Sequence, residues 1–339
     1  MERMTNSKVS RNPYFDMLRG LAIIMVVGIH TFPKGINGLN SFGDASAIVL
    51  RLFLNCAVPI FLGISGYFIG QKNVSTIKSY CNFLWHQIPS VYIPCLVFSF
   101  VWYIIETIKI GHLSIGLTVL CVCCGLSIYY FIALIIQYYL LLPFLQKMTK
   151  HWTGLVVSVI ISFISIAIIT YVTKVQGHSL ALLYYAGPFP VWLLFFCIGV
   201  YFATHSRDYY LWWPIIIIVG GMILQIIEYN FFLTRGQDAL GIKLSSFVFS
   251  AGVVWLILSN KLEANYLNSK VLHSLNYIGK MSFGIYLTHV FFIRLWRKIW
   301  DCNIWIVNWI AVLCFSVTVI YVTRIIAPNF SSKYLGFRE

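Results

Sequence analysis

Charge is scarce in this chain, and negative charge scarcer still. Only 10% of its 339 residues are charged, and 10 acidic side chains face 24 Lys and Arg. A water-soluble domain carries about 25% charged residues. A soluble α/β enzyme is therefore excluded, and the chain is expected to be solvated mostly by lipid. Long hydrophilic stretches are missing too, which leaves no linker for a second domain. No internal repeat or low-complexity segment stands out. The nine cysteines lack the spacing of a disulfide framework, since Cys56, Cys81, Cys95, Cys197 and Cys314 lie in or beside apolar segments. "CVCC" (Cys121, Cys123, Cys124) has neither the spacing nor the nearby histidine of a zinc site. These thiols are read as small buried hydrophobes, and no metal is expected. The net charge of +14 does not form a soluble patch; basic residues punctuate the ends of apolar runs, so no nucleic-acid partner is expected.

What the chain has instead is length in its apolar runs. Stretches of about 17 to 25 residues can cross a bilayer, and they fall near 15–33, 46–70, 84–108, 128–146, 154–173, 188–204, 211–230, 243–260, 280–299 and 304–327. The fold class predicted is an all-α integral membrane bundle of about ten transmembrane helices, one domain over 1–339. The segments 1–14 and 328–339 are expected to be short cytoplasmic ends. The piece 113–126 is apolar but short, and suits a re-entrant or an interfacial segment. Lys8 and Arg11 precede the first run as in a signal peptide. Asp16 and Arg19 interrupt that run, however, and no small-residue cleavage site precedes "PKGING", so a retained helix is expected. With the N-terminus inside, fifteen of the 24 Lys and Arg fall on the inner side and nine outside, the latter including Arg294, Arg297 and Lys298. The positive-inside rule then places both termini in the cytoplasm of a multi-pass protein of the inner or plasma membrane.

The first run, "FDMLRGLAIIMVVGIHTF", carries three residues that lipid rejects. At about 100° per residue, Arg19 and His30 are eleven steps apart and fall within roughly 20° of one face. Asp16 is fourteen steps from His30, roughly 40° off the other way. The three form a polar track, with His30 roughly 16 Å along the axis from Arg19 and towards the outer leaflet. Ionisable residues in a membrane face a bundle interior or a wet cavity.

Other runs carry matching groups. "IFLGISGYFIG" brings Ser65, Gly66 and Tyr67 to the depth of Arg19, and its glycines also suit a close packing face. "WHQIPSVYIP" puts His86 at the rim of the third helix, ahead of Pro89 and Pro94. In "GKMSFGIYLTHVFF", Ser282, Tyr286 and His289 stand at i, i+4 and i+7 on one face, with His289 near the level of His30. Glu106 and Glu228 are read as interfacial.

Together these segments resemble the acyltransferase-3 family, membrane acyltransferases that modify bacterial surface glycans. The first helix is similar to the family's "D-x-x-R-G-x-A" start and basic-x10-His motif through Asp16, Arg19, Gly20, Ala22 and His30. "FLGISGYF" resembles its "F-x-x-x-S-G-Y/F" helix end, "YYFIALIIQYYLLLPFL" its aromatic "W-F-x-x-A-L" helix, and "GKMSFGIYLTHVFF" its "G-x-x-S-x-x-I-Y-L-x-H" segment. The order is the family's, and the features span most of the chain. Relatives often carry two arginines before the proline of the third helix, which contact the acyl-CoA donor. Phe83 and His86 stand there instead, with Lys72, Lys78 or Lys280 near enough to supply charge. The extracytoplasmic esterase-like domain appended in many relatives is not seen, so a stand-alone form is expected.

The resemblance implies acyl transfer, most simply of acetyl, from acyl-CoA as co-substrate to a hydroxyl of a surface polysaccharide or its lipid-linked precursor, with no permanently bound cofactor. Such chemistry needs a base for the hydroxyl proton and donors for the developing oxyanion. His30 is the expected general base, working on an acceptor from the outer side, with Arg19 and Asp16 completing the catalytic set. Arg19 would hold donor phosphate or pantetheine oxygens, oriented by Asp16. Ser65, Tyr67 and His86 would complete the donor site. His289, Tyr286 and Ser282 would support or line the acceptor side, or relay an acyl group, and direct attack and a histidine relay both remain open. A transporter or flippase could use the same track, although the repeats common in transporters are not seen. A glycan polymerase or ligase lacks its usual large outer loop here, and a scaffold role is the non-catalytic alternative.

Overall fold

The computed structural model describes residues 12–33, 41–265, 271–300 and 304–337. Lys8 and Arg11, most of the "PKGING" loop, Lys270 and Arg338 lie outside the described residues. Within them the chain is helical, without a β-strand. In order, the helices are α1 (Pro13–Thr31), α2 (Phe42–Phe53), α3 (Ala57–Gly70), α4 (Ile77–Ile110), α5 (Ile115–Val122), α6 (Tyr130–Met148), α7 (Trp152–Thr170) and α8 (Leu182–Ala186). They continue with α9 (Phe189–Thr204), α10 (Trp212–Leu233), α11 (Leu244–Ile257), α12 (Asn260–Asn265), α13 (Val271–Lys280), α14 (Ser282–Ile299), α15 (Trp305–Ile326) and α16 (Pro328–Tyr334).

Among the described residues, seven spans are long and apolar enough to cross a membrane: α1, α2 with α3, α4, α6, α7 with its extension to Val175, α10 and α15. The three other runs expected to cross are also helical. Two of them, α9 and α11, are only 16 and 14 residues long. The third, α14, carries Arg294, Arg297 and Lys298 towards its end. The segment 113–126 holds an eight-residue helix, α5, too short to span. Residues 328–337 are no free tail: α16 occupies Pro328–Tyr334, and beyond it Phe337 is buried, its backbone carbonyl accepting from Arg324 Nε at 3.0 Å. An aromatic side chain at the chain end gains most by leaving water, which draws the segment onto the bundle.

α1 is the central helix. Its span is 67% buried, against 17% for those of α7 and α15. It begins where Asn12 caps the Tyr14 N–H at 3.0 Å, with Pro13 at the first helical position. It packs on α3, α13, α14 and α15. Trp305 and Trp309 donate their indole N–H to the Gly28 and Ile24 carbonyls at 3.0 and 2.7 Å, fixing the stretch just before His30. Glycines set the closest crossings. A Cβ on Gly20 would fall on the Leu275 carbonyl, and one on Gly279 on the Asp16 carbonyl. The same holds between α3 and α9, where Gly66 faces the Phe196 carbonyl and Gly199 faces that of Gly63. Without water between helices, such van der Waals contact replaces the hydrophobic effect as the force of association.

Two adjacent glycines of α10 test this directly. Gly221 abuts the Phe249 backbone, whereas Gly220 has open space where a Cβ would stand. Gly221→Ala is expected to destabilise by about 1–3 kcal/mol through overpacking. Gly220→Ala should be neutral, or stabilise by up to about 1 kcal/mol through helix propensity. Thermal unfolding in one detergent reads both, and equal shifts would refute the packing argument.

Candidate active site

The segment 46–70 is not one straight helix. Pro59 has no N–H for the Asn55 carbonyl, and the chain tightens there into a 3-10 turn, Leu54–Cys56, between α2 and α3. The turn brings Asn55 and Val58 beside His30, while Ser65 comes to the wall nearer Arg19. A second irregular stretch, 123–129, includes Cys124 and Ser127 at φ 55° and 56°. It is stitched to α14 by the Tyr286 hydroxyl donating to the Ile128 carbonyl at 2.5 Å and the Tyr129 hydroxyl donating to that of Leu287 at 2.8 Å. These bonds hold the start of α6, and with it Tyr130, against α14, which itself packs on the central helix.

Two cavities result. The first, about 280 Å³, is lined by Arg19, His30, Ser65, Tyr130, Ser282 and Tyr286, with an apolar wall including Val26, Val58, Phe61, Val91, Ile132 and Ile135. The second, about 170 Å³, is lined by His30, Arg51, Asn55, Tyr130, Tyr185, Trp192, Ser246 and Ser250 among others. Val26, His30, Val58 and Tyr130 belong to both walls. His30 makes no hydrogen bond among the described residues, so both ring nitrogens are left for whatever enters. Its neighbour is His289, with ring centroids 5.4 Å apart. His289 is fully buried, and its Nδ1 faces the carbonyls of Ile285 and Tyr286 at 3.0 and 2.9 Å. Two acceptors at Nδ1 require a proton there, so Nε2 of the neutral ring carries the lone pair, and it has no partner among the described residues.

At the other end of the first cavity, Arg19 donates from Nη1 to Asp16 at 2.8 Å and lies over the Phe68 ring at 5.1 Å. Asp16 sits in the first turn of α1, where a carboxylate also meets the helix dipole.

The model of the acyltransferase-3 family, described as an acyltransferase domain, matches residues 12–325. The chain belongs to the acyltransferase-3 family. No curated protein and no solved structure matches it.

In this membrane acyltransferase, Arg19, His30, Ser65, Ser282 and Tyr286 share one cavity, as residues of five separate sequence positions brought to one wall. Asp16 and His289 stand behind Arg19 and His30 and line neither cavity. Tyr67 is placed differently from the donor wall expected of it. Its ring stacks on Phe15 at 5.0 Å and under Arg207 at 4.8 Å, outside both linings. Arg207 in turn bonds Glu263 at 2.7 Å and adds a second guanidinium near this end. His86, on α4, is exposed, as are Lys72, Lys78 and Lys280, and none of them lines the two cavities. Phe83 is buried edge-on against Tyr139, with centroids 5.6 Å apart. Glu106 pairs with Lys109 and Arg294, and Glu228 accepts from Ser245, so both carboxylates are used away from the cavities.

Sequence reasoning passed over Arg51 and Tyr130. Arg51 interrupts an apolar run, which is itself the signal for a functional group in a membrane helix. Tyr130 gave no such signal among its aromatic neighbours. Its hydroxyl has no hydrogen-bond partner among the described residues, although it lines both cavities.

Proposed function

We propose that the chain transfers an acyl group, most simply acetyl, from acyl-CoA at the Arg19 end to a hydroxyl of a surface glycan or its lipid-linked precursor at the Arg51 end. The observation that carries this reading is that His30 stands on the wall common to two cavities, one lined by Arg19 and the other by Arg51. The first cavity suits the acyl-pantetheine arm. Its lining is mostly apolar, and its volume of about 280 Å³ is too small for the whole nucleotide, which would remain outside near Arg19. The guanidinium is always charged and matches phosphate oxygens. The second cavity presents the Ser250 and Tyr185 hydroxyls and the flat face of Trp192, whose N–H is held by the Ala186 carbonyl, the mixture that suits a sugar.

In the proposed reaction a His30 nitrogen takes the proton of the acceptor hydroxyl as its oxygen attacks the thioester carbonyl. The Tyr130 hydroxyl donates to the oxyanion that forms. Collapse breaks the carbon–sulfur bond, and the proton leaves His30 for the thiolate, so the products are the ester and free CoA thiol. His289 holds its ring beside His30 with Nδ1 fixed and favours this protonation cycle as a positioning residue. With the termini inside, as the Lys and Arg distribution supports, the donor would come from the cytoplasm of a cell with this protein in its inner or plasma membrane.

The pair of linked cavities also suits a transporter or flippase, and one assay separates the two. Purified protein with acyl-labelled acetyl-CoA should release CoA thiol and place label on glycan, both only when acceptor is present. Movement of unmodified glycan across a proteoliposome membrane without label transfer would refute the acyltransferase mechanism.

A further inference from the structure

Arg51 ends α2 within an apolar stretch, and only 7% of it is exposed. Its guanidinium makes one hydrogen bond among the described residues, from Nη1 to Asn55 Oδ1 at 2.8 Å. Asn55 is held in that orientation because its own Nδ2 donates to Gln225 Oε1, also at 2.8 Å. The partner set is therefore neutral. No described carboxylate lies within 4.0 Å of Arg51. The acids of this end act on it only from beyond ion-pair distance: Asp238, 74% exposed, reaches Arg51 through space but pairs directly with Lys174 at 3.4 Å, and Glu228 accepts from Ser245. Lys243, fully buried nearby, donates to the Ala239 carbonyl at 2.7 Å and adds a second cation at this end, with Glu228 and Asp238 as its through-space counter-charges. A buried guanidinium with most of its five donors unused is costly unless something negative completes it. It lines the cavity that His30 shares, so what completes it can come with the substrate.

We propose that the second cavity is an anion-reading acceptor subsite: it binds a glycan that carries a carboxylate or a phosphate, anchored on the Arg51 fork. This rests on the acyltransferase reading above and extends it from the donor to the acceptor. The fork fits either anion through two parallel N–H donors. The face of Trp192, Tyr185 and the hydroxyl of Ser250 meet the sugar, while the Ser246 hydroxyl is held by the Lys243 backbone. Anchoring the charge at Arg51 leaves a hydroxyl of the same acceptor at His30, so charge selects the acceptor and its register selects the oxygen that is acylated.

The test uses full-length protein in nanodiscs with three probes: methyl glucoside, its glucuronic acid counterpart and glucose 1-phosphate. Transfer from labelled acetyl-CoA is read beside the thermal shift that each probe causes without donor. Wild type should favour one or both anionic probes by at least about tenfold in kcat/KM, and the better of the two identifies the anion. Arg51→Gln should erase the preference through KM, and Arg51→Lys should keep part of it. If Arg51→Gln fails to fold, Asn55→Asp provides the second variant, since it neutralises Arg51 in place with a side chain of the same shape and should also erase the preference. Equal transfer to neutral and charged probes overturns the subsite and leaves the acyltransferase standing. A preference that survives Asn55→Asp overturns it as well. Thermal stabilisation by an anionic probe in wild type but not in Asn55→Asp, with no transfer to any probe, supports the subsite and removes the acyl-transfer reading.

Discussion

His30→Ala is expected to lower acyl transfer by about 10²–10⁴-fold, the usual worth of a general base, with the protein still folded in the membrane. Both halves of that expectation follow from the same observation. The imidazole lines two cavities and makes no hydrogen bond among the described residues, so deleting it leaves no buried protein donor or acceptor newly unpaired. The fold keeps the Trp305 and Trp309 bonds to the α1 backbone, which do not involve the ring. Transfer, by contrast, loses the group that takes the hydroxyl proton. The measurement is label transfer by equal amounts of protein, matched by size-exclusion profile and thermal midpoint. His30→Gln should fall with His30→Ala, since it offers hydrogen bonds but no basic nitrogen. Activity within a few-fold of wild type in either variant would sink the assignment of the base.

Much of this arrangement is legible in the chain, and what is not has identifiable causes. The polar track of Asp16, Arg19 and His30 follows from helix periodicity because α1 is straight enough for 3.6 residues per turn to hold over its 19 residues. The helix positions follow from apolar length, since lipid demands it. Number of crossings does not follow as directly. A buried inner helix such as α9 can be short and still uniformly apolar, because protein rather than lipid surrounds it. The amphipathic α13 is too brief for a hydropathy signal, and its close contact with α1 through Gly20 and Gly279 gives it a place. Tyr67 and Ser65 differ by two residues, hence by about 200° around α3, which is why one lines the cavity and the other turns to Arg207. His86 has the right sequence position for a donor contact, yet it lies on the exposed face of α4. Arg51 differs again: a guanidinium inside an apolar run is a signal, but it is lost when the run is judged by its average, which one charge barely moves.

The donor end carries the second large effect. Arg19→Gln is expected to raise KM for acyl-CoA about 30-fold or more, in line with the 2–5 kcal/mol typical of truncating one member of a partly buried charge pair. The effect on kcat should be much smaller. Arg19 and His30 are separated along α1 by eleven residues, so a group at Arg19 meets the donor far from the carbonyl under attack. An interaction made equally in ground and transition states moves KM and spares kcat. Asp16 makes the prediction sharper. Its carboxylate is buried and receives Arg19 Nη1 at 2.8 Å, so it both orients the fork and tempers its charge. Asp16→Asn should therefore raise KM less than Arg19→Gln, and the double variant should resemble Arg19→Gln alone rather than the product of the two effects. Arg19→Lys keeps the charge but not the planar fork and should fall between wild type and Arg19→Gln. Steady-state kinetics with acceptor held saturating resolve all four. A fall in kcat with KM for acyl-CoA unchanged would place Arg19 at the reacting carbonyl instead, and additive effects of Asp16→Asn and Arg19→Gln would mean that the two do not act as a unit.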